Sequence, residues 1–270
     1  MIELSHIHKR FNPGTINEVY SLKDVSLEIK AGEFVTVIGT NGSGKSTLLN
    51  MVAGTILPDS GTISLAGADI TRRKDFQRAY SISRVFQNPF MGTAPDMTIA
   101  ENLLLAHLRG QGRYPIIGLN GERRAFFRSR VAELEMQLEE RLDTVIGTLS
   151  GGQRQAVSLL MAVIREPKVL LLDEHTAALD PKSAAQVIKL TQTFVERGNL
   201  TTLMVTHSMQ QALDLGTRTI MMHLGQIIDD ISEKEKGRLT VNDLLDKFAE
   251  LRKSEKLTDL MIEQLRREYL

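Results

Sequence analysis

FVTVIGTNGSGKST, residues 34–47, decides the fold of this chain. Residues 34–38 form a short apolar, β-branched run. The rest fits G-x-x-x-x-G-K-[ST], running Gly39, Thr40, Asn41, Gly42, Ser43, Gly44, Lys45, Ser46, Thr47. A strand before the pattern and a helix after it, expected over 46–53 with Gly54 just past its end, supply the context in which these residues have a mechanism. Glycines let successive backbone N–H groups turn onto phosphate oxygens, and the helix N-terminus adds the positive end of its dipole. Lys45 brings a full charge to the β and γ phosphates, and Ser46 offers a hydroxyl to Mg²⁺. Outside that context the same letters would spell a glycine-rich turn capping a helix.

Two further stretches belong with this phosphate cradle. VLLLDE, residues 169–174, is an apolar strand ending in two carboxylates, which it presents at the edge where open α/β sheets bind ligands. Asp173 is the expected Mg²⁺ partner through water, and Glu174 is the expected general base that orients an attacking water. LSGGQ (Leu149, Ser150, Gly151, Gly152, Gln153) opens a helix, with Ser150 as its N-cap and two glycines leaving backbone N–H groups bare. One chain thus carries two phosphate grips. Either it binds two nucleotides, or one grip completes the site of another molecule.

The remainder of the chain alternates strand and helix signals. Strands are expected over 2–7, 25–29, 62–65, 82–86, 201–206 and 219–222, and helices over 181–197 and 208–215. From residue 88 to about 165 the pattern turns helical (98–109, 122–142, 153–164) before strands resume, which marks an insertion and not a separate domain. Residues 1–232 form one domain, followed by a charged tail, 233–270, in which nine acidic and nine basic side chains surround Leu244, Leu245, Phe248 and Leu251 at helical spacing. Thr240 and Asp243 make a capping box for that helix, which is expected to pack on the body.

Composition narrows the function. With 270 residues there is room for a large core, and 33 basic against 33 acidic side chains give no basic excess, so no nucleic-acid partner is expected. The absence of cysteine excludes disulfide scaffolds, zinc–cysteine sites and thiol nucleophiles. No stretch is apolar enough for a membrane span or a signal peptide, so the chain is expected in the cytosol, with any membrane link made through a partner.

Taken in order, these motifs resemble the ATP-binding cassette ATPases of ABC transporters over residues 1 to about 230. Gln87 resembles the family's Q-loop glutamine, Ala178-Leu179-Asp180 its D-loop and His207 its switch histidine. Phe11 stands where the family places an adenine-stacking aromatic, with Tyr20 as the poorer candidate. The resemblance implies an α/β P-loop NTPase core with an inserted helical subdomain, about 88–165, and a small antiparallel β subdomain. It also implies ATP and Mg²⁺ as cofactors, with Ser46, Gln87 and Asp173 toward the metal and Glu174, His207, Gln87 and Asp180 in catalysis. It resolves the two-grip question as a homodimer enclosing two ATP, with the signature Leu149–Gln153 of one copy facing the ATP of the other. Where the family has proline after the glutamate, this chain has His175, which is expected to shape the loop.

The segments DEHTAALDP and MVTHSMQQAL resemble ATPases of bacterial uptake systems with branched-chain-amino-acid-type permeases, some linked to tryptophan or tyrosine. Import of a small solute is therefore expected, through separate integral-membrane permease subunits and with a solute-binding protein. The ATPase itself would lie on the inner face of the cell membrane. The same motifs would serve an export or lipoprotein-release ATPase, or a soluble iron–sulfur assembly ATPase.

Overall fold

The strand that leads into the cradle is buried along its whole length, because it runs through the middle of the larger of two sheets. The computed structural model describes residues 1–110 and 118–254, with side chains to residue 249. In chain order the elements are β1 (Ile2–Phe11), β2 (Val19–Ile29), β3 (Phe34–Gly39), α1 (Lys45–Ala53), β4 (Ser60–Leu65), β5 (Ala68–Asp69), α2 (Asp75–Arg78) and β6 (Ile82–Val85). Then follow α3 (Ile99–Leu108), α4 (Gly121–Ala132), α5 (Gly151–Val163), β7 (Val169–Asp173), α6 (Pro181–Gly198), β8 (Thr201–Val205), α7 (Met209–Asp214), β9 (Arg218–His223), β10 (Gln226–Ile231), α8 (Glu233–Lys236) and α9 (Val241–Ser254).

The larger sheet has the order β10-β9-β3-β8-β7-β6, parallel except for β10, which pairs antiparallel with β9. The smaller is antiparallel, β2-β1-β4-β5. Two-residue alternation divides the core between the faces of the larger sheet. Leu170, Leu172 and Met204 join Leu103, Phe127, Leu159 and Phe194 of the helices; Val169, Leu171 and Leu203 join Leu48 and Leu49 of α1 and Leu4 and Ile63 of the smaller sheet. The architecture is the expected α/β one, with helices between β6 and β7.

Three local differences have physical causes. The helix expected over 122–142 ends at Ala132, and Glu135 and Gln137 adopt left-handed backbone (φ 56° and 55°). Leu134, Leu138 and Leu142 are all buried in the helical core, so their spacing imitates a helix while the chain turns. Both β1 and β2 run longer than their apolar cores suggest, since their ends pair with each other beyond the buried part (Arg10 with Tyr20, Phe11 with Val19). Finally, α6 ends one residue later than expected, at Gly198, and Asn199 supplies the left-handed cap (φ 44°).

The tail helix α9 lies on α7. Leu244 and Phe248 are buried with Met209, Ala212, Met221, Ile231 and Ile38. The Thr240–Asp243 capping box is formed, with Thr240 N donating to Asp243 Oδ2 at 2.6 Å and Asp243 N to Thr240 Oγ1 at 3.3 Å. The Leu251 side chain and residues 255–270 lie outside the described residues. Among the described residues no helix is long and apolar enough to cross a membrane.

Candidate functional site

Parallel pairing sets the site. Asp173 lies opposite Val205, so the chain leaves β7 and β8 at the same sheet edge, beside the end of β3. Glu174 follows β7 directly; its N–H donates to Val205 O at 2.9 Å, and its φ of 45° is left-handed. For a residue with a Cβ that conformation costs about 1–3 kcal/mol, a strain characteristic of functional turns. The carboxylate it displays stands with Oε1 2.5 Å from His207 Nε2. The loop carrying His207 is braced: Thr206 Oγ1 donates to Gln211 Oε1 at 2.9 Å, and Gln211 Nε2 donates to Thr176 Oγ1 at 3.3 Å.

A cleft of about 370 Å³ brings this pair together with the cradle. Phe11, Val19, Ser21 and the run Asn41–Thr47 line it, along with Glu174 and His207. The cradle needs its glycines. Gly44 is the N-cap of α1 with φ 98°, and a Cβ there would lie 2.6 Å from Ser21 O; at Gly39 one would lie 2.2 Å from Met222 O. Lys45 is buried, and its Nζ donates to Gly39 O (2.5 Å) and Thr40 O (3.1 Å), so a cation is stationed inside the loop. Thr47 shares a hydroxyl–hydroxyl bond of 2.8 Å with Ser21 on β2, tying the smaller sheet to α1.

Of the two aromatic candidates, Phe11 is in the cleft wall. Tyr20 is otherwise engaged: its hydroxyl is 2.5 Å from His8 Nδ1, and Arg10 lies over its ring at 4.4 Å. Asp173 is at the C-terminal end of β7, where Arg84 Nη2 donates to its Oδ2 at 2.5 Å. Gln87 is exposed just after β6 and does not line the cleft. Asp180 also lies outside it, capping α6 by accepting from Ser183 N at 3.1 Å. Hydrogen bonds from the Ser183 side chain and then its backbone hold the Asp180 carboxyl below the usual carboxylate range.

The Leu149–Gln153 motif is elsewhere on the surface. Ser150 caps α5, accepting from Gln153 N at 3.2 Å, while Gln153 Oε1 accepts from Ser150 N at 3.2 Å. Ser150 and Gly151 are exposed, Leu149 is buried, and Gly152 presses on α6, where a Cβ would meet Ser183 Oγ at 2.5 Å. Sequence reasoning missed what holds this helix start in place. Arg154 is buried, donating to the carbonyls of Ile146, Gly147 and Leu149 (3.1, 2.6 and 3.0 Å), with its guanidinium 3.7 Å from the Phe90 ring centre. Gln155 Nε2 donates to Phe86 O at 3.1 Å, joining this helix to the segment before Gln87. An Arg and a Gln at the first buried turn of an otherwise apolar helix face were the available signal.

His175 is buried, with Nε2 3.0 Å from Thr191 Oγ1. That hydroxyl donates to Val187 O, so it accepts from the imidazole, which is neutral with its proton on Nε2. Burial pushes its pKa down to about 4.

Comparison with known proteins agrees with this geometry. Residues 22–177 match the family model described as ABC transporter. The chain is 44% identical to the tyrosine transport ATP-binding protein of Clostridioides difficile, covering 92% of this chain and 98% of that one. It is 38% identical to the spermidine/putrescine import ATP-binding protein of Haemophilus influenzae, over 87% of this chain and 59% of the relative. Among solved structures, a dimeric ATP-binding cassette in a post-hydrolysis state with ADP and phosphate superposes with a TM-score of 0.72 at 30% identity, covering 86% of this chain and 99% of that one.

Proposed function

Since the chain belongs to the ABC transporter family and is one of its ATPases, we propose that it powers import of a small solute, an amino acid foremost, through separate integral-membrane permease subunits. The observation that carries the catalytic part of this reading is the Glu174–His207 pair on the wall of the same cleft as Lys45.

The chemistry follows from the residues. Phe11 offers a face to the adenine. The Gly39–Thr47 amides and the α1 dipole hold the phosphate chain, with Lys45 as counter-charge. Glu174 accepts a proton from the attacking water, and His207 orients the carboxylate and the terminal phosphate. Ser46 and Asp173 offer the hard oxygen donors magnesium prefers, and no group of three acidic or imidazole side chains among the described residues forms a closed metal cage. Magnesium is commonly held through one or two protein oxygens, water and the substrate's own phosphates. When bound, Mg²⁺ neutralises charge developing on the phosphates. Gln87 and Asp180 act from the rim, at the metal and at the dimer seam.

The exposed Ser150–Gly151 helix start is built to face the ATP of a second copy, so two copies enclose two nucleotides head to tail. The helical segment 88–165 is the part that meets the permease, and residues 233–270 form the tail of the 1–232 domain. The identities with a tyrosine transport and a spermidine/putrescine import ATP-binding protein support import, and an import system of this kind would include a solute-binding protein and hold its ATPase on the inner face of the cell membrane.

Co-expression with its permease and purification in mild detergent tests the reading. A polytopic partner should copurify, and the ATPase should accelerate when solute-loaded binding protein is added. Recovery with soluble proteins alone and no such response would overturn the import assignment.

A further inference from the structure

Arg84, bonded to Asp173 at the end of the acidic strand, is a charged side chain that the ATPase reading leaves unused. It sits on β6, opposite Leu171 of β7, with its side chain largely buried. Its guanidinium forks: Nη1 donates to Asn50 Oδ1 at 2.5 Å and Nη2 to Asp173 Oδ2 at 2.5 Å. The Phe86 ring centre lies 4.6 Å from it, and its buried Nε has no partner among the described residues. Asn50 belongs to α1, the helix that starts at Lys45, and its carbonyl accepts from Thr55 N and Ile56 N to close that helix. One side chain therefore joins three elements: the cradle helix, the acidic strand and the strand that leads to Gln87.

A merely structural bolt would need only the two hydrogen bonds. Arg84 also places a permanent positive charge against the carboxylate assigned to the metal. In a partly buried site such a charge acts strongly. By itself, the Asp173 carboxylate would be an oxygen donor attractive to a divalent cation. With Arg84 attached, one negative charge is already matched, and a cation finds enough negative charge only once the triphosphate is present. The bond uses one carboxylate oxygen and fixes the plane of the group, so the other can address hydration water of the ion.

We infer that Arg84 is a positioning residue that orients Asp173 and screens its charge, so that Mg²⁺ enters with the nucleotide and not before it. This rests on the assignment of Asp173 to the metal.

Mn²⁺ titration of the nucleotide-free full-length protein, followed by electron paramagnetic resonance, tests it beside turnover and ATP binding in EDTA. Arg84→Met should bind Mn²⁺ about tenfold more tightly than wild type, the size expected for loss of one nearby charge. It should turn over at least tenfold more slowly and keep ATP affinity in EDTA within twofold. Arg84→Lys, which restores charge without the fork, should return Mn²⁺ affinity to the wild-type value. Slow turnover in Arg84→Met with unchanged or weaker Mn²⁺ binding would overturn the inference and leave Arg84 a bolt. If Arg84→Met does not fold, Arg84→Gln, which keeps a donor for Asp173 but no charge, must show the same tightening. Asp173→Asn separates the two layers. No effect of it on divalent-cation dependence defeats the assignment of Asp173, whereas an effect there with none from the Arg84 variants defeats only the role of Arg84.

Discussion

The two phosphate grips are built alike and situated differently. Each is a glycine-bearing helix start. Around Gly39–Thr47 the same chain supplies a buried cation, an aromatic wall, a carboxylate and an imidazole. Around Ser150–Gly151 the described residues supply the cap and the packing beneath it, and Ser150 and Gly151 are exposed. On the proposed reading the first is a site and the second is half of one. That asymmetry is what a shared, head-to-tail arrangement requires, since a grip completed within its own chain would have no use for a partner.

The largest effect that can break this comparison is on chemistry. Glu174→Gln should retain ATP binding and lower turnover by about 10²–10⁴-fold, the range for loss of a general base. Stopped-flow nucleotide binding beside phosphate release measures both, and undiminished release removes Glu174 from its role. Next is Ser150→Arg, which should leave the affinity of the monomer for ATP within about twofold yet lower hydrolysis about 100-fold. Loss of the N-cap itself costs only about 1 kcal/mol. Normal hydrolysis would mean that each chain works alone. Lys45→Ala should weaken ATP binding about 10- to 100-fold, consistent with about 1.5–3 kcal/mol for a charged hydrogen bond. Fluorescent-nucleotide titration reads this directly, and wild-type affinity would discredit the cradle.

The smallest effect concerns the loop beside Glu174. His175 is neutral when folded down to about pH 4 but takes a proton near pH 6.5 when unfolded. The unfolded state therefore binds more protons between these values. The contribution to stability is complete above pH 6.5 and falls as pH drops toward 4, by up to about 3 kcal/mol. His175→Gln should flatten that acid limb, as seen in urea midpoints at pH 5 and pH 7.5. An equally steep limb in the variant would assign the acid sensitivity elsewhere.

The cradle, the acidic strand and the signature helix were legible because each requires rare residues at fixed spacing on an element of recognisable period. Glu174 and His207 could each be named from motif order, but their 2.5 Å contact arises from parallel register between β7 and β8, which no local pattern encodes. Arg84, Arg154 and Gln211 were illegible for a related reason. Arg84 and Gln211 reach side chains distant in sequence, Arg154 binds nearby backbone carbonyls that no residue letter marks, and a single Arg or Gln on a strand or helix carries no periodic signal. Leu134, Leu138 and Leu142 misled for the opposite reason, since core burial alone can mimic helical spacing.

The placement of α9 gives the end of the chain a say in what happens at the cleft. Leu244 and Phe248 form one apolar plug with Ile38, the residue just ahead of Gly39, and with Met209, two positions past His207. Cradle loop and histidine loop thus share a backstop made by residues that do not line the cleft. Cutting the chain ahead of residue 240 should therefore slacken the packing behind both loops at once.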